Sequence, residues 1–499
     1  MPDKSLLLGL TVATSILAYT VYKDKQGNDI TLPPSPKSYP LIGHLLSFPS
    51  EYEHLEFMHL SEQLGSKIIS LSVFGTTIVV LNDKDDAINL LDKRSAIYSD
   101  RTCPPLVQDP SLLNWGDFGS LIGYGDRWRR YRRLMNPWLS KQAVTVHRES
   151  QEQATRKLLR RLLESPKDTK SSHELEAEFF LSVSETLLRS LYGYQTESSS
   201  DPFLVRSKEL FLYLSSAPLP SKYLVNTLPS LRYVPAWCPG AGWKREVLEW
   251  RKEKESLIND IYDIGLENMK KDKDSPLIVG SLRNQALKLG LTEEEADDNV
   301  KQVSITLYGA GTETAVHTLL MLFLAMVLYP EVQRKAQAEI DSVIGSIERL
   351  IQETLRWAPV TPLAVPHTCF RDDTYKGYYI PKGTIVMGNV WAMTRDETVY
   401  KDPEVFDPDR FLDPSIPPAP AFGWGRRRCP GVHFAESTLF IFVTSLLATF
   451  NIGIAQDENG EDIIPSRKMT NSLVLAPEEF PVKLTPRSMA YKDLVRPSF

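Results

Sequence analysis

Cysteine is scarce in this chain, with four in 499 residues, at 103, 238, 369 and 429, and no paired spacing. That excludes a disulfide framework and fits a reducing compartment. An excess of positive charge is also lacking: 57 Lys and Arg stand against 63 Asp and Glu, a net charge of -6. A nucleic-acid binder would normally be basic, so that class is set aside. Between residues 40 and 499 there is no long Gly/Ser tract, low-complexity block or internal repeat. Length alone suggests about three domains, but without a linker one large unit, 41–499, is the better expectation.

What is there begins with an uncharged run, Ser5 to Tyr22. As a helix it spans ~27 Å, enough to cross a membrane. It exceeds the usual signal-peptide core and no small-x-small cleavage site follows, so an anchor over 1–25 is the reading. Lys23 and Lys25 after it, against Lys4 before it, place the body in the cytoplasm. Prolines at 33, 34, 36 and 40 make 26–40 a stiff tether.

Most of the body reads as helix. Residues 142–192 and 243–272 carry apolar spacing near 3.6, while 67–73, 76–81 and 384–390 alternate as strands. The class is mainly α with a small β portion. The Pro- and aromatic-rich stretch 216–242 reads as a loop that covers a pocket or touches a membrane. A long helix starts at Thr292, where Thr-Glu-Glu-Glu forms a capping box with Glu295, and it ends at Tyr329-Pro330. At its centre lies Gly309-Ala310-Gly311-Thr312-Glu313-Thr314. The apolar run before it, followed by Gly-Ala-Gly, also suits the strand and turn of a dinucleotide fold, but the third glycine is missing and the capping box commits the segment to helix.

The most informative segment is Ala421 to Gly431, Ala-Phe-Gly-Trp-Gly-Arg-Arg-Arg-Cys-Pro-Gly. Cys429 follows three arginines and precedes an apolar helical run, Val432 to Phe450, and both settings favour a thiolate. Glycines at 423, 425 and 431 let backbone approach a flat, bulky group, which suits an axial thiolate ligand to haem iron. Zinc fits poorly, because no second cysteine lies near.

Phe422, Gly425, Arg427, Cys429 and Gly431 match every fixed position of the haem-binding loop of the cytochrome P-450 family, and nearly the whole chain resembles fungal microsomal, secondary-metabolism members. The resemblance implies the cytochrome P-450 fold with an N-terminal transmembrane helix and haem b held by Cys429. Ala310 and Gly311 would lie against the haem. Thr314 would hydrogen-bond bound dioxygen, and Glu313 would bring protons from solvent. Trp128, Arg132, Arg427, His367 and Arg101 would hold the propionates. Glu353-Thr354-Leu355-Arg356, with Arg410 from Phe406–Phe411, would form a buried ionic scaffold under the cysteine loop. Arg129, Arg130 and Arg133 would face an acidic electron donor.

The implied activity is a haem-thiolate monooxygenase at the endoplasmic reticulum membrane. It would use O2 and electrons from NADPH, through NADPH-cytochrome P-450 reductase, to oxidise an apolar small molecule such as a terpenoid or polyketide. The rivals are a haem-thiolate isomerase or peroxygenase, and an inactive member. The last is motivated by a departure: only Gly345-Ser346 separates the helix of Ala338 to Ile344 from that of Ile347 to Glu353, where the family has a longer segment. Such a short connection should strain the placement of Glu353.

Overall fold

The structure is a computed structural model that describes residues 31–196, 198–219, 222–271, 277–342 and 347–488. The anchor and the Gly345-Ser346 junction expected from sequence lie outside the described residues.

Two compact units are present. One comprises residues up to Asp100 together with Pro366–Asn389, the other Arg101–Val365 and Val390 onward. In the first, helix α1 (Glu53–Gln63) accompanies a four-stranded sheet in the order Ile68–Val73, Thr76–Leu81, Ile385–Gly388, His367–Thr368. The Thr76–Leu81 and Ile385–Gly388 pair is parallel and the others antiparallel. These are the expected strands, except that the third stops at Gly388 and Val390–Met393 turns into a helical turn.

The second unit is helical: α2 (Asp126–Leu139), α3 (Arg148–Glu164), α4 (Ser172–Tyr192), α5 (Pro202–Ser216), α6 (Gly242–Lys271), α7 (Ile278–Lys288), α8 (Glu293–Leu328), α9 (Pro330–Asp341), α10 (Ile347–Trp357) and α11 (Val432–Thr449). The helical pattern read over 142–192 is two helices, because Thr169–Ser171 breaks it as an edge strand beside Pro481–Pro486. Ser171 then caps α4 reciprocally with Glu174. The stretch 216–242 contains two short 3-10 turns, Leu224–Asn226 and Pro229–Tyr233.

Helix α8 is the axis of this unit, and its start is the capping box anticipated from sequence. Glu295 N–H donates to Thr292 Oγ1 (3.2 Å), and Thr292 N–H to Glu295 Oε2 (2.9 Å). From Ala315 to Val327 every residue is buried, so the helix is apolar all round there. The dinucleotide alternative is excluded, since 303–311 is continuous helix. Its C-terminus is set by Pro330.

Candidate haem-thiolate site

The cysteine loop is shaped by glycine. Gly423 and Gly425 have φ of +71° and +53°, values that a side chain would strain. They fold the loop back so that Cys429 N–H donates to Phe422 O (2.9 Å). Gly431 then stands at the N-cap of α11, and Ala435 N–H bonds its carbonyl (2.9 Å). Cys429 thus sits just before a helix N-terminus and keeps accessible surface.

Its electrostatics correct the sequence expectation. Arg132, Arg428 and the Gly431 backbone all favour the thiolate, as anticipated. Burial of the sulfur among surrounding protein outweighs them, and the thiol is raised above its ordinary value. A coordinated metal cation would favour the thiolate outright. His433, four positions on, turns to Glu436 (3.3 Å). Among the described residues no three of His, Cys, Asp and Glu gather to hold a metal ion, so a single-thiolate ligand remains the fitting reading.

Around the thiol, α2 supplies the aromatic and cationic groups expected of it. Arg132 Nη1 donates to Arg428 O (3.0 Å), fastening the loop to the helix. The Arg427 and Arg132 guanidinium carbons lie 4.6 Å and 5.9 Å from the Trp128 ring centroid, and Arg427 Nη2 donates to Ile122 O (2.9 Å). Arg101 donates to Val365 O and is half-buried. Burial first and the like charge of Arg427 second push it well below its ordinary range. An anion placed there offsets both penalties. Arg129 and Arg133 are exposed as expected, whereas Arg130 is half-buried.

His367 lies in the smaller unit, buried on a strand rather than in a loop, with Nδ1 2.6 Å from Tyr98 O.

On α8, Ala310 is exposed although Val303–Thr306, Tyr308 and Gly309 are buried. Its neighbours are small for another reason. A Cβ on Gly309 would lie 2.3 Å from Phe211 Cε1, and one on Gly311 would lie 3.0 Å from Leu187 Cδ1. Both glycines admit neighbouring helices, so the space for a flat cofactor is offered by Ala310. Thr314 Oγ1 donates back to Ala310 O (2.7 Å), which is what a mid-helix threonine ordinarily does. Before it can donate elsewhere that bond must be released. Glu313 accepts from Ser215 Oγ (3.0 and 3.3 Å), and burial lifts its carboxyl to about 7, with Glu176 adding to the rise.

The scaffold is complete. Glu353, Arg356 and Arg410 are buried. Arg410 Nε reaches Glu353 Oε1 at 3.2 Å, and Asp407 N–H donates to the same oxygen at 2.8 Å. The strain expected at Glu353 is not seen. Arg349 of α10 meets Glu339 of α9 (3.3 Å) and helps to set the two helices.

A single thiol at a helix start, an exposed alanine opening in a buried helix, and a half-buried arginine beside a second cation fit a flat, dianionic, iron-bearing haem. One group escaped the sequence reading: His317, four residues after Glu313, is buried with Nδ1 lacking a partner among the described residues. Its helical spacing from Glu313 was the available signal.

The cytochrome P-450 family model matches residues 33–484. A cytochrome P-450 monooxygenase of Armillaria gallica is 35% identical, covering 94% of each chain. One from Ampulloclitocybe clavipes is 34% identical, covering 93% of this chain and 88% of its own. One from Postia placenta is 33% identical over a span of 519 positions, longer than the 499 of this chain. A solved zebrafish cytochrome P-450, in a structure with abiraterone, shares the fold at a TM-score of 0.70 and 21% identity, covering 87% of this chain and 100% of its own.

Proposed function

Because this chain belongs to the cytochrome P-450 family and is a haem-thiolate monooxygenase, we propose that it inserts oxygen into an apolar small molecule, such as a terpenoid or polyketide of secondary metabolism. Its electrons come from NADPH through a cytochrome P-450 reductase, and a single N-terminal span holds its catalytic domain on the cytoplasmic face of the endoplasmic reticulum.

The convergence of apolar groups on the centre of α8 supports the substrate class. Trp115 stacks on Phe211 at 6.4 Å, and Phe211 fills the notch at Gly309. The loop ahead of α2 is latched there by Gly119 N–H to Thr306 Oγ1 (2.9 Å). Ile122, Val360 and Leu475 are buried in the same unit, with Leu475 N–H bonded to Val360 O (2.7 Å). Where such side chains face a bound substrate, they would favour an apolar one.

When bound, haem supplies an iron centre whose thiolate ligand favours O–O cleavage. Cys429 Sγ would hold the iron. Trp128, Arg132, Arg427, Arg101 and His367 are the proposed contacts for the propionates, and Ala310 and Phe422 would flank the ring, whereas Gly311 is turned to Leu187 of α4. Glu313, held by Ser215 and poised near neutrality, carries protons at its carboxyl oxygens, and Thr314 passes them on through its hydroxyl. Arg129 and Arg133 offer an acidic reductase a basic face.

The test uses the full chain in microsomes with its reductase, NADPH and 18O-labelled O2, screened against apolar terpenoids and polyketides. A product carrying one 18O, together with the thiolate-type carbon monoxide spectrum of the reduced protein, is expected. Product formed equally well from peroxide with NADPH omitted, or by rearrangement without label, overturns the reading in favour of a peroxygenase or isomerase.

A further inference from the structure

We propose that His317 is the residue through which protons from solvent reach Glu313. This rests on the reading of Glu313 as the proton carrier.

The two share a face of α8 at i and i+4, with Cβ atoms about 5–6 Å apart. His317 is 8% exposed. Its ring hydrogen-bonds the Leu475 backbone, while Nδ1 has no partner among the described residues. A histidine serving only to fill core leaves no reason for a buried open nitrogen, since an unmade hydrogen bond there costs stability.

The neighbouring elements lead outward from that nitrogen. On α4, Glu176 acts electrostatically on both Glu313 and His317. On α5, Lys208 Nζ holds Glu176 Oε1 at 2.7 Å, and this pair retains side-chain exposures of 34% and 18%. Ser215, also on α5, holds Glu313. On α8 itself, Thr314 and Thr318 turn their hydroxyls back to the carbonyls of Ala310 and Thr314. In this reading the order from solvent inward is Lys208–Glu176, then His317, then Glu313.

The transfer moves one proton and no electrons. Nδ1 takes a proton as an O–H bond of a hydronium ion drawn to the Glu176 carboxylate breaks, leaving water. The Nδ1–H bond then breaks as an O–H bond forms on Glu313, and the imidazole returns to neutral. Burial holds His317 below its ordinary value and Glu313 above its own, so the second transfer runs downhill. Lys208 also disfavours the charged ring, whereas Glu176 and the Leu475 backbone favour it.

The experiment uses the haem-loaded full chain as wild type, His317→Phe and Glu176→Gln. Infrared spectroscopy after a pH jump follows the Glu313 carboxyl band, assigned by its loss in Glu313→Gln. Protonation of that carboxyl is expected to slow roughly tenfold or more in both variants, with KM unchanged and a larger solvent deuterium isotope effect on turnover. Unchanged protonation rates in the two variants overturn the proposal and leave His317 as packing. If His317→Phe fails to fold, Glu176→Gln decides by the same rate. Should Glu313→Gln turn over like wild type, the reading of Glu313 falls, while the pH-jump rate still reports whether His317 feeds that carboxyl.

Discussion

Arg356 grips Glu353 with two parallel hydrogen bonds, Nε to Oε2 and Nη2 to Oε1, each 2.7 Å, where neither side chain has any exposure. The other guanidinium nitrogen, Nη1, donates to Thr394 O and Pro403 O, so this pair sets the path of the chain leading toward the cysteine loop. Glu353→Gln leaves Arg356 and Arg410 as buried cations without their carboxylate. A loss of about 3–5 kcal/mol is expected, read as a lower urea midpoint and a reduced ratio of haem to protein.

Glu313 makes stability depend on pH in an unusual direction. Its folded value of about 7 lies above the ordinary 4.5, so between those pH values the folded chain binds the proton more strongly than the unfolded chain. Stability therefore falls as pH rises from about 4.5 to about 7 and is level above that. Glu313→Gln removes this penalty. Relative to wild type the variant should gain up to about 3 kcal/mol between pH 5 and pH 8, checked by urea unfolding at both pH values.

Gly309 is occupied by a neighbour's ring. The Cβ of Gly309→Ala would stand 2.3 Å and 2.4 Å from two atoms of Phe211, and that ring is confined by Trp115 and Tyr308. A cost of about 1–3 kcal/mol is expected, partly recovered when Phe211→Leu is added. Gly311→Ala meets only the tip of Leu187 and should cost less. Thermal unfolding of the three variants checks the order.

Arg101 should act with opposite signs on the haem-free and haem-bound chain. Its burial and the nearby charge of Arg427 disfavour its cation, so Arg101→Met should stabilise the haem-free protein. It also removes a charge-assisted partner for a propionate, and haem release should quicken roughly tenfold. Unfolding of the haem-free protein and transfer of haem to an acceptor protein measure the two effects.

Several elements could be read directly from the chain because local chemistry decides them. The capping box at Thr292 and Glu295 and the proline at 330 bound α8 whatever surrounds it, since they act on adjacent backbone groups. The glycines at 423 and 425 impose the loop that presents Cys429, because only glycine adopts those dihedrals without strain. The strand Thr169–Ser171 was missed because its pairing with Pro481–Pro486 joins segments about 300 residues apart, and no local pattern announces it.

The sequence by itself determined the glycine-shaped loop that carries Cys429, the bounds of the long helix α8, the aromatic and cationic pair Trp128 and Arg132 on one helix, and the acidic and basic residues of the scaffold. Only the tertiary structure decided what those groups do to one another. It raised the Cys429 thiol despite three arginines before it, because burial exceeds their attraction. It closed Glu353 on Arg356 and Arg410 despite a short connection. It gave Gly309 to Phe211 and left the opening to Ala310, and it buried His317 on the same helix face as a carboxyl raised to about 7. Each of these is a balance between desolvation and contact with residues far away in the chain, and such balances exist only once the chain is folded.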